Sequence, residues 1–198
     1  MRKDVTKSRG VIFVISGPSG SGKTTLRDRM LADENFRKLF TKSVSVTTRP
    51  KRSKEKHTKD YFFLSTAQFK DKRRSKEILE WTRYLGYYYG TPRDFVERQL
   101  ARGRNIMLCL DLRGARRIKK LYPRNSVTIF VLPPSVRTLR VRIEGRCSDT
   151  KKEEIARRLK LAEKELAESR TYDYRLVNNQ LETAVKKMKG ILLREIIR

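Results

Sequence analysis

The chain has 198 residues, with 49 Lys or Arg against 22 Asp or Glu, a formal net charge of +27, and 37% hydrophobic and 9% aromatic content. That balance suits one folded domain with appended lobes rather than a disordered chain, and no apolar run nears the roughly 18–20 residues that cross a bilayer. The charged segment 1–9 lacks the apolar core of a secretion signal, and Cys109 and Cys147 make no disulfide framework, so a cytoplasmic setting is expected.

The first element is an apolar strand at 11–16 that runs into Gly17, Pro18, Ser19, Gly20, Ser21, Gly22, Lys23 and Thr24. These residues fit the phosphate-cradling pattern G-x-x-x-x-G-K-[ST] at every fixed position, with a strand before and a helix, 23 to about 33, after. The glycines let backbone N–H groups turn inward around a triphosphate, and the helix adds its positive end. Lys23 is placed to reach the β- and γ-phosphates and the Thr24 hydroxyl to ligate Mg²⁺. The segment predicts a nucleoside triphosphate site.

An apolar alternation at 44–46 precedes the basic stretch 49–59, which has no periodicity and reads as a loop, and a short strand follows at 61–64. Ser65 and Gln68 form a capping box for a helix running into 72–74. Strands at 78–83 and 87–89 join through Leu85 and Gly86. Thr91, Pro92 and Asp94 read as cap, first-turn proline and acidic third position of a helix that stops at Gly103. Buried strands at 106–111 and 127–132 flank a helix at 113–121, and Pro133, Pro134 and Ser135 open another at 136–143. A loop at 145–152 leads to a charged helix at 153–169 with Glu153/Arg157 and Glu154/Arg158 at i,i+4 spacing. A strand at 174–177 and an amphipathic helix at 181–197 close the chain. Alternating strand and helix predict an α/β fold with a largely parallel sheet, and residues 42–90, with short strands and clustered aromatics, read as an inserted lobe.

Within that lobe, Arg49 and Arg52 lie three apart in a loop, and tyrosine hydroxyls follow at Tyr61, Tyr88 and Tyr89. Guanidinium forks bind phosphate oxygens bidentately, so this set suits a terminal phosphate. Glu80, at a strand's centre, is costly there unless paired, and an ion pair with one of the many arginines would satisfy it equally. His57, in the basic loop, is expected to be exposed and without a role. The charge of +27 has two readings: nucleic-acid binding through counterion release, or a solvated surface that steers polyanionic substrates. The basic residues are scattered, without a basic tail or an RNA-binding aromatic signature, which favours the second.

Several segments, in order and over nearly the whole chain, resemble the guanylate kinase family. They are Gly-Pro-Ser-Gly-Ser-Gly-Lys at 17–23, Ser-Val-Thr-Thr-Arg at 45–49, Lys-Asp-Tyr-Phe-Phe at 59–63, Glu-Trp at 80–81 and Tyr-Tyr-Gly at 88–90. Leu-Asp-Leu at 110–112, Pro-Pro-Ser at 133–135, Glu-Gly-Arg at 144–146 and Val-Asn at 177–178 complete the set. The resemblance implies a P-loop kinase fold in a single domain, with a core at about 1–41, 91–144 and 159–198. It adds a GMP-binding lobe at about 42–90 and a lid at about 145–158, and it implies phosphoryl transfer from ATP to GMP with Mg²⁺. Residue by residue, it puts Arg49, Arg52, Tyr61 and Tyr89 around the GMP phosphate, and Ser45, Glu80 and Asp111, with Thr91 nearby, around guanine. Residues 17–24, Thr25 and Asn178 fall at the ATP positions, and Lys23, Arg49, Arg146 and Arg158 at those of the catalytic cations. The chemistry agrees, because guanine presents N1–H and N2–H₂ side by side and one carboxylate accepts both, whereas adenine offers an acceptor at N1. Sites built on such bonds discriminate by about 10⁴. The attacking phosphate is already ionised, so no general base is required.

Three departures stand out. Cys109 occupies a position where the family usually has an acid of the metal and phosphate environment, two residues before Asp111, with both expected to face the site from one strand. Cys147 replaces a glycine in a lid one residue longer than usual. Pro50 comes one position early, and Lys54 replaces the glycine before Glu55. They keep a second class in view, a guanylate-kinase-like module that binds a phospho-ligand without catalysis. The intact loop at 17–24 and both lobe arginines favour the enzyme.

Overall fold

The run Ile12, Phe13, Val14, Ile15 is apolar on both of its faces, as the central strand of a parallel sheet must be. In the computed structural model, which describes residues 10–53, 55–145 and 152–198, it forms β1 (Ile12–Ser16) in the middle of a five-stranded sheet. The order is β2 (Phe40–Lys42), β7 (Asn105–Cys109), β1, β8 (Ser126–Leu132), β9 (Tyr174–Val177), and every pairing is parallel. Alternate residues of β1 feed two cores. Ile12 and Val14 pack with Val96 and Leu100 of α4 (Arg93–Ala101) and Ile118 of α5 (Leu112–Leu121). Phe13 and Ile15 pack with Leu26 and Met30 of α1 (Lys23–Leu31) and with Met188 and Leu192 of α8 (Leu181–Ile197). Truncating a fully buried ring such as Phe13 to alanine would cost about 3–5 kcal/mol. Because β1 has β7 on one side and β8 on the other, chain connections diverge beyond its C-terminal end, where open α/β sheets form their ligand crevice.

The inserted segment forms a second sheet, ordered β4 (Phe62–Phe63), β3 (Val46–Thr47), β6 (Tyr87–Pro92), β5 (Ile78–Tyr84), antiparallel except for the β3–β4 pair. The capping box at Ser65 and Gln68 starts α3 (Thr66–Arg74) as expected, and its Phe69 fills a small core with Val46 and Ile78. Strand alternation gives the β5–β6 hairpin two characters. Trp81, Arg83 and Tyr88 point away from the crevice, while Glu80, Thr82, Tyr84 and Tyr89 line it. On the core side, α6 (Val136–Gly145) and α7 (Lys152–Ala167) pack through Leu139, Ile143 and Ala162. Residues 146–151, and with them Arg146, Cys147 and most of the expected lid turn, lie outside the described residues, as does Lys54.

The structure corrects several boundaries. The helix expected to reach about 33 ends at Leu31, because the Asp33 side chain accepts from the Asn35 and Phe36 N–H groups and starts a separate α2 (Glu34–Leu39), followed by β2. Thr91 is not a helix cap: it belongs to β6, and Pro92 takes the N-cap position of α4. The strand expected at 106–111 stops at Cys109, since Asp111 caps α5 by accepting from the Gly114 N–H at 2.8 Å. The helix expected to reach 169 ends at Ala167 and continues as a 3₁₀ turn, Glu168–Thr171.

Candidate active site

The phosphate loop closes the C-terminal end of β1. Lys23 Nζ donates to the Gly17 and Pro18 carbonyls at 2.5 and 2.9 Å, so its charge is held inside the loop that would surround a triphosphate. The loop is braced from behind by Asn178, whose side-chain amide donates to the Ser21 carbonyl at 2.8 Å. Gly22 has φ +94°, and a Cβ there would stand 2.3 Å from Asn178 Nδ2, so both conformation and space require glycine. Asn178 is buried and in contact with the loop backbone, which gives this expected ATP residue a supporting position. Thr24 and Thr25, at the exposed N-terminus of α1, line a cavity of about 760 Å³ together with Asp28, Ser45, Arg52 and Tyr61.

Across the crevice, the Thr-Thr-Arg segment is tied to the hairpin. Thr47 Oγ1 donates to the Tyr88 carbonyl at 3.0 Å and accepts from the Arg49 N–H at 3.2 Å, while Thr48 Oγ1 accepts from the Tyr88 N–H at 2.9 Å. This fixes the base of Arg49, whose guanidinium donates to Glu55 Oε1 at 2.6 Å and lies 5.6 Å from the centre of the Tyr61 ring. Glu55 Oε2 accepts from the Arg52 N–H at 2.9 Å, so one carboxylate organises both arginines. Burial pushes the Glu55 carboxyl up, but the Arg49 and Arg52 hydrogen bonds outweigh it and hold the group below its ordinary range. Arg49, Arg52, Tyr61, Tyr89 and Arg158 line one cavity of about 470 Å³, with Ser19 of the phosphate loop at its edge. The four expected phosphate ligands and one lid arginine are thus brought together.

A cavity of about 230 Å³ adjoins it, lined by Lys23, Ser45, Tyr89, Glu80, Asp111 and Glu165 among others. Glu80 is 4% exposed and accepts a hydrogen bond from the Thr91 hydroxyl at 2.6 Å. Burial, with the nearby Asp111 charge and against the Thr91 bond, raises its pKa to about 7. Among the described residues the hydrogen-bond partner of Glu80 is the Thr91 hydroxyl rather than an arginine. Cys109 and Asp111 both reach this cavity, Cys109 from the end of β7 and Asp111 from the cap of α5 rather than from a shared strand face. Burial pushes the Cys109 thiol up against the pull of Arg27 and Lys23. His57 is exposed as expected, although its Nδ1 accepts from the Phe63 N–H at 3.2 Å.

Two participants had no motif to announce them. Gly114 reads as a helix residue, yet a Cβ there would stand 2.7 Å from Glu80 Oε2, so its glycine makes room for the carboxylate. Glu165 reads as one charge among many on a charged helix. It follows Ala162 by three positions and is therefore next to the stripe that packs on α6, which is the only sequence sign of its burial.

A sequence model of the guanylate kinase family matches residues 9–195. The guanylate kinase of Bacillus anthracis is 41% identical over 187 residues, covering 94% of this chain and 89% of that protein. That of Wolbachia pipientis wMel is 39% identical, covering 96% and 92%. The crystal structure of guanylate kinase from Anaplasma phagocytophilum superposes with a TM-score of 0.80 at 32% identity, covering 96% of this chain and 88% of that one.

Proposed function

The chain belongs to the guanylate kinase family, and on that premise we propose that its crevice transfers the γ-phosphoryl group of ATP to GMP, giving ADP and GDP. The observation that carries this reading is the arrangement of the two adjoining cavities. A buried carboxylate suited to guanine's paired donors stands at one end, two arginines and two tyrosines suited to a phosphate at the other, and the lysine of a triphosphate loop borders them.

In this reading Glu80 accepts from guanine N1–H and N2–H₂, with Ser45, Thr91 and Asp111 completing the base site. Arg49, Arg52, Tyr61 and Tyr89 hold the acceptor phosphate in line with the donor. The loop residues 17–25 hold the ATP phosphates. Lys23, Arg158 and Arg146 offset the charge that spreads over the transferring group's equatorial oxygens, so catalysis is positioning and electrostatics rather than proton transfer. The Thr24 hydroxyl and the phosphates themselves suit Mg²⁺, a hard cation that keeps oxygen ligands and several waters. The residues fit such an ion, since the Thr24 side chain lines the cavity beside the loop and offers a hydroxyl oxygen to a hard cation. When bound, the ion supplies neutralisation of the phosphate charge. Among the described residues no helix is long and apolar enough to cross a membrane; the proposed reaction serves purine nucleotide metabolism, in the cytoplasmic setting expected from the sequence. The basic surface acts in this account as a guide for polyanionic substrates rather than as a nucleic-acid interface.

The test is a coupled ADP-release assay with GMP and AMP side by side. The proposal expects turnover with GMP at least a thousandfold above AMP in kcat/KM, from the cost of leaving a buried carboxylate facing a lone pair. Equal use of the two would sink it.

A further inference from the structure

Glu165 is a buried acid that the reaction as described does not use. It is 8% exposed, and among the described residues nothing hydrogen-bonds its carboxylate. Its carboxyl opens on the cavity of about 230 Å³ that it lines together with Glu80 and Asp111, where it can accept a hydrogen bond from a bound ligand. It lines that cavity with Lys23, at the phosphate end of the crevice, and Asp111, at the guanine end. Glu165 therefore faces the middle. The same helix presents Arg158, seven residues earlier and on the same face, to the phosphate cavity. The helix α7 thus carries one side chain toward the phosphate and another toward whatever connects phosphate to base.

In a nucleoside monophosphate that connecting part is the ribose. Guanine's donors are taken by Glu80 and the phosphate oxygens by the arginines and tyrosines, so the remaining ligand donors are the ribose hydroxyls. We propose that Glu165 is a specificity-determining residue that accepts a hydrogen bond from a ribose hydroxyl of the acceptor nucleotide and makes the enzyme favour the ribonucleotide over its deoxy analogues. This rests on the assignment of GMP as acceptor. A bond from a neutral hydroxyl to a carboxylate is among the stronger hydrogen bonds, and its loss leaves the carboxylate unpaired again.

The experiment compares kcat/KM for GMP, 2′-deoxy-GMP, 3′-deoxy-GMP and AMP at saturating ATP, first with the wild-type protein and then with Glu165→Ala and Glu165→Gln, with thermal melts alongside. The expected wild-type result is a loss of about 10- to 100-fold for one of the two deoxy analogues. In Glu165→Ala the ratio of GMP to that analogue should fall to within about threefold of unity, and Glu165→Gln, which keeps an acceptor oxygen, should fall between. Equal wild-type use of GMP and both deoxy analogues would overturn the proposal, and that measurement needs no variant to fold. A wild-type ratio retained in Glu165→Ala would overturn it equally. Failure of the GMP assignment shows separately, as AMP used as well as GMP.

Discussion

The Thr91 hydroxyl donates to Glu80 Oε1 at 2.6 Å across the β5–β6 hairpin, inside the fold. One carboxylate oxygen is thereby fixed, while Gly114 at the start of α5 leaves room for the other. The acid is held as an oriented acceptor, and the lobe that carries it is packed directly against the core helix that Asp111 caps.

Glu80→Gln should keep the fold and lose GMP selectively. A glutamine amide can accept from one guanine donor but presents its own N–H to the other, a mismatch of about 1–3 kcal/mol per hydrogen bond. We expect kcat/KM for GMP to fall by about 10- to 100-fold with the KM for ATP within twofold of wild type. Unchanged GMP turnover with weakened ATP binding would refute the assignment.

The raised carboxyl pKa values have a pH signature. Glu80 and Glu165 titrate at about 7 in the folded chain against an ordinary 4.5. Between those values the folded state binds more protons than the unfolded one, so these groups cost stability as pH rises from about 4.5 to 7. The melting temperature should therefore be higher at pH 5.5 than at pH 8, and the difference should shrink in Glu80→Gln. Guanine needs the ionised acceptor, so the KM for GMP should fall as pH rises through 7. A KM flat across that range in the wild type would contradict the buried, proton-holding Glu80.

Gly114→Ala separates the site from the scaffold. The added methyl would stand 2.7 Å from Glu80 Oε2, the movable end of a side chain, and 3.2 Å from Leu110 Cβ. Alanine is a better helix former than glycine by roughly 1 kcal/mol. The variant should fold with a melting temperature near or above wild type while the KM for GMP rises about tenfold or more, because Glu80 is pushed from its bond to Thr91. A joint loss of stability and activity would mean that backbone, not carboxylate, gave way.

Asn178→Ala tests where that residue acts. Its amide holds the Ser21 carbonyl behind the phosphate loop, so its loss should weaken any triphosphate donor, with kcat/KM falling about tenfold for ATP and for GTP alike. A loss confined to ATP would point instead to a contact between Asn178 and the adenine end of the nucleotide.

Most of the architecture was legible because its elements carry local signals: the glycine-bounded loop, the capping box at Ser65, the Leu85–Gly86 turn and the two-sided apolar strands. What escaped was set by tertiary contact. Thr91, Pro92 and Asp94 form a persuasive cap on paper, but the Thr91 hydroxyl has a buried carboxylate to satisfy instead. Asp111 looked like the end of a strand and became a cap. Arg49, Arg52, Tyr61 and Tyr89 stand out by residue type, and they line one cavity. Gly114 and Glu165 matter only because of what lies across the crevice, which no spacing within their own helices records.

The last prediction concerns Cys109, which stands between Lys23 and Arg27 at the junction of two cavities. Arg27 is already paired with Asp28 at 2.8 Å, its side chain largely buried. The wall of the phosphate site therefore carries one negative charge fewer than an acid at 109 would give it, and Mg²⁺ would depend more on Thr24 and the phosphates. An aspartate at this position would meet two cations and add an oxygen ligand or a water-binding group near the metal. Cys109→Asp should lower the Mg²⁺ concentration for half-maximal activity by about threefold or more, without altering the preference for GMP over AMP. The competing account makes Cys109 a small hydrophobe packed against β1, where a carboxylate mainly costs stability. A Mg²⁺ titration run beside a thermal melt separates them. An unchanged metal requirement with a lowered melting temperature would assign Cys109 to the core.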